Sequence, residues 1–262
     1  ASITIDITER QKMEMHLLEL SRAVEQSPSA VVITDTKGTI NYVNPKFQEV
    51  TGYSAEEAIG QNPRILKSGD TSKQDYKVMW DTILAGEIWH GIFHNKKKNG
   101  KFFWEAASIS PIFDKQGKII NYIKVAEDIT ERKKSEKIQK ALYNISNAVI
   151  TTDNLYKLIS LIHKELGTII DTTNFFVALY DEKNDVISLP FGVDEKDDYE
   201  TFPAGKTLTA YVIKTGKSLL ANDKVLTKLI NEGEVEDIGT PSEIWLGVLL
   251  KIEGKVTGVV VV

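Results

Sequence analysis

The pentapeptide Asp-Ile-Thr-Glu-Arg occurs twice, at Asp6–Arg10 and at Asp128–Arg132. The offset of 122 residues (128 minus 6) is the length of one small domain plus a connector. A repeat at that spacing points to modules rather than one large core, and 262 residues can hold two separate cores. Both copies follow an apolar, strand-like run and open a Lys- and Glu-rich stretch of helical character. Asp-x-x-Glu suits a helix start: the Asp oxygen accepts from orphan backbone N–H groups, and the Glu three residues on favours the positive helix end. The chain therefore reads as part of an array in which each domain ends on a strand and hands over to a helix. Residues 1–25 are then expected to be the tail of an upstream domain plus a connecting helix.

The helices after the two pentapeptides carry apolar seams. Met13, Leu17, Leu20 and Val24 recur at spacings of 4, 3 and 4, as do Ile138, Leu142, Ile145 and Val149. Isolated helices of this length are marginal in water, so each stripe needs a partner. Packing on the helix's own domain is one answer, and a parallel homodimer through these eight residues is the other. The two seams leave the shared pentapeptide at different phases, because the offset places Leu17 on Gln139 and Met13 on Ser135.

Between the connectors, the residues predict strands at 29–35 and 39–43, then short helices at 45–51 and 54–59. Gly52 and Gly60 end those helices, and Ser54 and Glu57 form a capping box. A loop, 61–70, precedes a helix over 71–85. Strands follow at 89–95, 102–113 and 119–127, with Asn99-Gly100 marking a hairpin turn. The second half predicts helices at 155–170, 208–214 and 225–231. Its strands are expected at 174–180, 185–191, 218–221, 244–252 and 256–262. The apolar run Val259–Val262 is expected as an exposed strand end that a further helix would cover.

Chemistry is bounded mainly by what is absent. The chain has no cysteine, which excludes disulfides, thiolate metal sites, cysteine catalysis and thioether-linked chromophores. A net charge of −5 without a sustained basic face gives no support for nucleic-acid binding. The sequence has no run near the ~20 apolar residues of a membrane span, so a cytoplasmic fragment is expected, from a parent that could be anchored elsewhere.

On the strings NYVNPKFQEVTGYSAEEAIGQNPRIL, WHGIFHNKKKNGKFFWEAASISPIFDKQGKI and DITER, residues 26–131 resemble a PAS (sensory-box) domain. TTNFFVALYDEKND, GKTLTAYVIKTGKSLLAND and GVLLKIEGKVTGVVVV make residues 150–262 similar to a GAF domain, with 132–149 as a signalling-helix linker. The fold class implied is α+β: two antiparallel-sheet sensor domains joined by amphipathic, coiled-coil-like helices. Each module would carry helices on one face of its sheet and a ligand pocket on the other. The resemblance also implies the input region of a sensor histidine kinase or related signalling protein. No kinase, cyclase or nucleotide-binding motif is present, so the fragment itself is not expected to be an enzyme.

The segment GQNPRILKSG resembles the light-sensing flavin subgroup of PAS domains, but Pro63 stands where that subgroup has its reactive cysteine, just after Asn62. Of that subgroup's flavin contacts only Asn95 is kept; Glu105 and Ala126 occupy the others. The redox-sensing flavin subgroup is matched at Trp89, Gly91 and Asn95. The residues thus leave the cofactor open: none covalent, with no cofactor as the favoured reading and FAD or FMN as the alternative. Haem lacks an axial ligand, since alternation puts His90 and His94 on the face opposite Trp89 and Asn95. Alternation also offers a polar pocket, in which Glu105 and Lys124 pair on an otherwise apolar face. A one-residue slip would instead put both in solvent. The candidate ligand pocket is therefore Asn62, Trp89, Asn95, Glu105 and Lys124. Two readings follow: a sensor for a small-molecule ligand, or a ligand-free dimerisation scaffold.

Overall fold

A computed structural model describes residues 2–193, 201–236 and 244–262, with side chains described from residue 9 onward. The acidic stretch 194–200 lies outside the described residues. The chain divides into two compact units, residues 1–134 and 135–262.

The first unit opens with one continuous helix, α1 (Ser2–Glu25). This corrects the expected strand-to-helix handover at the first pentapeptide: Asp6–Arg10 lies within the helix. Met13, Leu17 and Leu20 are exposed on α1, so their stripe is not packed against the unit's own core, whereas Val24 is half-buried. The unit then forms a five-stranded antiparallel sheet in the order β2-β1-β5-β4-β3, from β1 (Ala30–Asp35), β2 (Ile40–Val43), β3 (Trp89–Lys96), β4 (Phe102–Phe113) and β5 (Ile119–Asp128). Between β2 and β3 run α2 (Pro45–Thr51), α3 (Ala55–Ala58), a 3-10 turn (Pro63–Leu66) and α4 (Lys73–Leu84). Gly52 ends α2 in the left-handed conformation, and the Ser54–Glu57 capping box opens α3.

These helices cover one face of the sheet. Phe47, Ala58 and Leu66 pack on Ala30, Val32, Ile40 and Val43 at one end. Met79 and Ile83 of α4 pack on Phe93, Ala107, Ile109, Tyr122 and Ala126 at the other. The start of the unit is secured by Asn44, whose side chain is fully buried. Its Oδ1 accepts from the amides of Val31 (2.8 Å) and Phe47 (3.1 Å). Its Nδ2 donates to the carbonyls of Val24 (3.1 Å) and Ser29 (3.0 Å). One amide thus caps α2, anchors β1 and grips the last turn of α1.

In the second unit, α5 (Thr130–Thr151), which begins in the first unit, leads to α6 (Leu155–Leu166) and a six-stranded antiparallel sheet. Its order is β8-β7-β6-β11-β10-β9, from β6 (Phe175–Asp181), β7 (Val186–Val193), β8 (Thr201–Pro203), β9 (Leu219–Asn222), β10 (Ile244–Ile252) and β11 (Lys255–Val261). Helix α7 (Leu208–Thr215) packs on one face and α6 on the other, while α8 (Asp223–Asn231) follows β9. Strand β8 was not anticipated from the sequence, because three residues are too few to show a period. The expected exposed run Val259–Val262 is corrected as well. Strand β11 is central, paired with β6 and β10, and Val259 and Val261 are buried.

Asn44→Ala would leave two amides and two carbonyls unpartnered at a buried site, each group costing about 1 kcal/mol or more. A loss of about 3 kcal/mol in urea unfolding, at constant m, is expected for the first unit. A loss below about 1 kcal/mol would show that water replaces the side chain there.

Candidate functional site

The sheet pairing decides which side chains meet. Phe93 lies opposite Glu105, Asn95 opposite Phe103 and Trp89 opposite Ile109 across β3 and β4. Across β4 and β5, Ala107 lies opposite Ala126 and Ile109 opposite Lys124. Cross-strand partners share a face, so Trp89, Phe93, Asn95, Glu105 and Lys124 all point toward the helices. The register that would put Glu105 and Lys124 in solvent is not the one formed.

Glu105 is 3% exposed. Its Oε1 accepts from Asn95 Nδ2 at 2.8 Å and pairs with the Lys124 ammonium. The rungs of Glu105 and Ile109–Lys124 are four residues apart along β4, about 13 Å at ~3.3 Å per residue. The two chains therefore meet only by leaning toward each other along the strand. The rung between them is Ala107–Ala126, and small side chains there leave the corridor open. The ammonium also sits 5.3 Å from the centre of the Phe93 ring. A carboxylate in so dry a place requires such partners, since burying it unpaired is costly.

An aromatic layer surrounds this polar triad. Trp89 leans on Phe93 at 4.9 Å, and Tyr76 of α4 stacks with the same ring at 6.0 Å. Trp80 meets Tyr122 edge-on at 6.0 Å. The Trp89 indole lies across Gly91, where a Cβ would come within 2.2 Å of the ring. Gly91 is what lets an indole lie along the strand. Asn62 is not part of the cluster. Its side chain is used structurally, accepting from the Arg64 amide (3.1 Å) and donating to the Gly38 carbonyl (2.8 Å). A short polar side chain at the cap of a 3-10 turn satisfies the local backbone first. Ala126, the other position compared with flavin contacts, is a buried spacer.

A flavin would need polar groups at the edge of its pyrimidine ring and a slot for its three fused rings. Asn95 and Glu105 provide the edge. Trp89 and Tyr76 both pack against Phe93, so a slot beside that ring requires these side chains to move. Elsewhere, a shallow concavity of about 440 Å³ opens on the opposite sheet face. His90 and Ile92 line one side, Ala106 and Ser108 its floor, and Val125 and Glu127 the other side. The expected arrangement, with the pocket on the face opposite the helices, is thus corrected: Trp89, Asn95, Glu105 and Lys124 lie on the helix-covered face, and only this concavity lies on the other.

The exit junction is held by contacts that residue order does not show in detail. Asp128 Oδ1 accepts from the Thr130 amide (3.0 Å) and hydroxyl (2.5 Å), so the second pentapeptide does start a helix on its Asp. Lys97 reaches the other Asp128 oxygen at 3.2 Å. Trp104 holds the next residues: its amide donates to Thr130 Oγ1 (2.9 Å), and its carbonyl accepts from Ile129 N (2.8 Å). Burial works to raise the Asp128 carboxyl. The bonds from the Thr130 hydroxyl and amide and from Lys97 outweigh it, so its pKa lies below the usual carboxylate value. Asp-x-Thr in the pentapeptide was the available signal; nothing in it points to Trp104 or Lys97.

Residues 18–129 match the model of the PAS fold family, and this segment is a PAS domain. The chain is similar to the nitrogen fixation regulatory protein of Klebsiella pneumoniae, at 33% identity over 138 residues, which cover 50% of this chain and 28% of that protein. It is also similar to the aerotaxis receptor of Escherichia coli K12, at 32% identity over 124 residues, covering 47% of this chain and 24% of the receptor. Among solved structures, an RNA-binding light-oxygen-voltage receptor matches at 28% identity and a TM-score of 0.41, over 43% of this chain and 33% of that one. The chain thus spans only about a quarter of the length of these curated relatives. Among the described residues, no helix is long and apolar enough to cross a membrane, and no cluster of three metal-ligating side chains occurs.

Removing one partner of the buried pair should cost more than removing both. Lys124→Met alone is expected to destabilise by about 3 kcal/mol, and Glu105→Leu with Lys124→Met by clearly less, in urea unfolding. Additive losses would mean the pair is effectively solvated. Because the Asp128 carboxyl is depressed, its contribution is present above the ordinary carboxylate range and is lost as pH falls through its native value. Acid unfolding of the wild type should therefore be steeper than that of Asp128→Asn, which circular dichroism between pH 6 and 2 can compare.

Proposed function

We propose that the first unit is a sensory input module of a signalling protein. An event on its helix-covered sheet face would be relayed through β5 and the Asp128–Thr130 junction into α5. The observation that carries this reading is the double grip of Trp104 on Ile129 and Thr130. Strand β4 bears both Glu105, inside the buried triad, and Trp104, on the exit. A displacement of that strand therefore moves the first turn of α5. A bias of a few kcal/mol between two arrangements suffices for such a switch.

The remaining assignments follow from the same reading. The second unit serves as a GAF-like regulatory domain, supported by its six-stranded antiparallel sheet, although its helices lie on both faces rather than on one as expected. Exposed Met13, Leu17 and Leu20 on α1, and Ile138, Leu142 and Val149 on α5, support a homodimer through these helices. Output would lie in another part of the parent, as a histidine kinase or related domain, and neither unit is itself an enzyme. A flavin-based redox sensor is the second reading, favoured by Asn95 beside Glu105 on the face that Trp89 lines. It requires the aromatic rearrangement described above. The ligand-free dimerisation scaffold would instead leave the buried triad as a purely structural pair.

Thr130→Val removes the hydroxyl shared by Asp128 and Trp104. Hydrogen exchange in the first turn of α5 should accelerate about fivefold or more, as for a lost cap worth ~1 kcal/mol or more. Unchanged exchange would remove the relay's basis. An absorbance scan of purified protein should show no band near ~450 nm if no flavin is held; a band releasable by denaturation would select the flavin reading.

A further inference from the structure

The loop leading into α4, residues 67–72, is fastened to β3 at three adjacent points. Lys67 makes an isolated antiparallel bridge with Asn95. Ser68 Oγ donates to the His94 carbonyl at 2.5 Å and accepts from the Asp70 amide at 3.1 Å. The Asp70 carboxylate pairs with Nδ1 of the His94 imidazole. On the sheet, that imidazole is stacked. The Trp104 indole lies 4.3 Å away at 22°, and the Phe102 ring 5.3 Å away at 28°.

Histidine is the one side chain in this arrangement that changes charge near neutral pH. A neutral imidazole can give the Asp70 carboxylate one ordinary hydrogen bond. An imidazolium gives a charge-assisted bond and is also attracted to the stacked indole. We propose that His94 is a proton-operated latch that holds the 67–72 loop on β3 more tightly when it is protonated than when it is neutral. Asp70 is 60% exposed and His94 21%, so solvent screens the pair. The latch therefore shifts loop occupancy severalfold and does not lock it.

Other charges around the imidazole do not duplicate Asp70. Along β3 on the same face stand His90 and Lys96; on β4, Phe102, Trp104 and Ala106 are uncharged. On β5, Glu127 lies opposite Ala106, one rung away from Trp104. In the first turn of α5, Glu131 pairs with Lys134 at 2.8 Å. From the loop itself, the Lys67 ammonium is turned over the Tyr76 ring, 5.2 Å from its centre. Tyr76 stacks on Phe93, and Asn95 belongs to the buried triad. The loop thus borders the Glu105–Lys124 cluster, and opening it uncovers that end of the helix-covered face. The latch stands independently of the relay reading, since its input is a proton and its readout is the loop.

The test is hydrogen exchange of the amides of residues 67–72 in the full 262-residue chain at pH 5.5 and 8.0, corrected for intrinsic rates, with the His94 ring followed by NMR. Protection should be about threefold higher at the lower pH, as fits a half-exposed pair. The Trp104 indole N–H resonance should move with the His94 titration. The pH step should vanish in Asp70→Asn and persist in His90→Gln. A step of equal size in Asp70→Asn, no step in the wild type, or a His94 ring that does not titrate between pH 5 and 8.5 would each overturn the proposal.

Discussion

A single buried carboxylate sets the terms for the first unit. Glu105 faces an apolar layer of sheet and helix, where an unpaired charge cannot be kept. Its partners, Asn95 and Lys124, come from the two flanking strands, so β3, β4 and β5 must hold one register for all three to meet. A slip by one residue would turn the whole set outward and bring His90, His94 and Glu127 inward. The alanines at 107 and 126 and the glycine at 91 follow from the same constraint. The first two clear the path for Lys124, and the third lets Trp89 lie against Phe93. The apolar side chains supply most of the stabilising burial; the polar triad specifies which sheet they build.

Strand β4 joins the two ends of this arrangement. Its inward side chains hold the triad, its outward ones carry the His94 stack, and its backbone at Trp104 grips the start of α5. Successive residues on one strand point to opposite faces, so Glu105 and Trp104 are neighbours in the chain and report to different sides of the sheet. At the opposite end, Asn44 ties the last turn of α1 to β1 and α2. The helices entering and leaving this PAS domain are each fixed to it by a compact set of hydrogen bonds, while the apolar stripe of α1 stays exposed.

Much of the first sheet was legible from residue order. Turn glycines, the Ser54–Glu57 capping box and period-two alternation place its five strands and their inward faces. The pairing of Glu105 with Lys124 followed from alternation once a register was chosen, and the choice itself needed the fold. A cap and a pocket ligand ask for the same amide, so residue order could not show that the Asn62 side chain bonds the Arg64 amide and the Gly38 carbonyl. A cap-like Asp-x-x-Glu can also sit inside a helix that begins earlier, as the first pentapeptide does in α1.

The amino-acid sequence alone therefore determined the modular order, the alternation of faces and the exclusion of thiol chemistry, since these depend on local periodicity and on which residue types are present. Tertiary structure decided the rest. It chose the register that buries Glu105, made Val259–Val261 a central strand rather than an edge, and brought Asp70 to His94 across 24 residues of chain. Each of those outcomes depends on which strand lies beside which, and strand order is fixed by packing across the whole sheet rather than by any window of neighbouring residues.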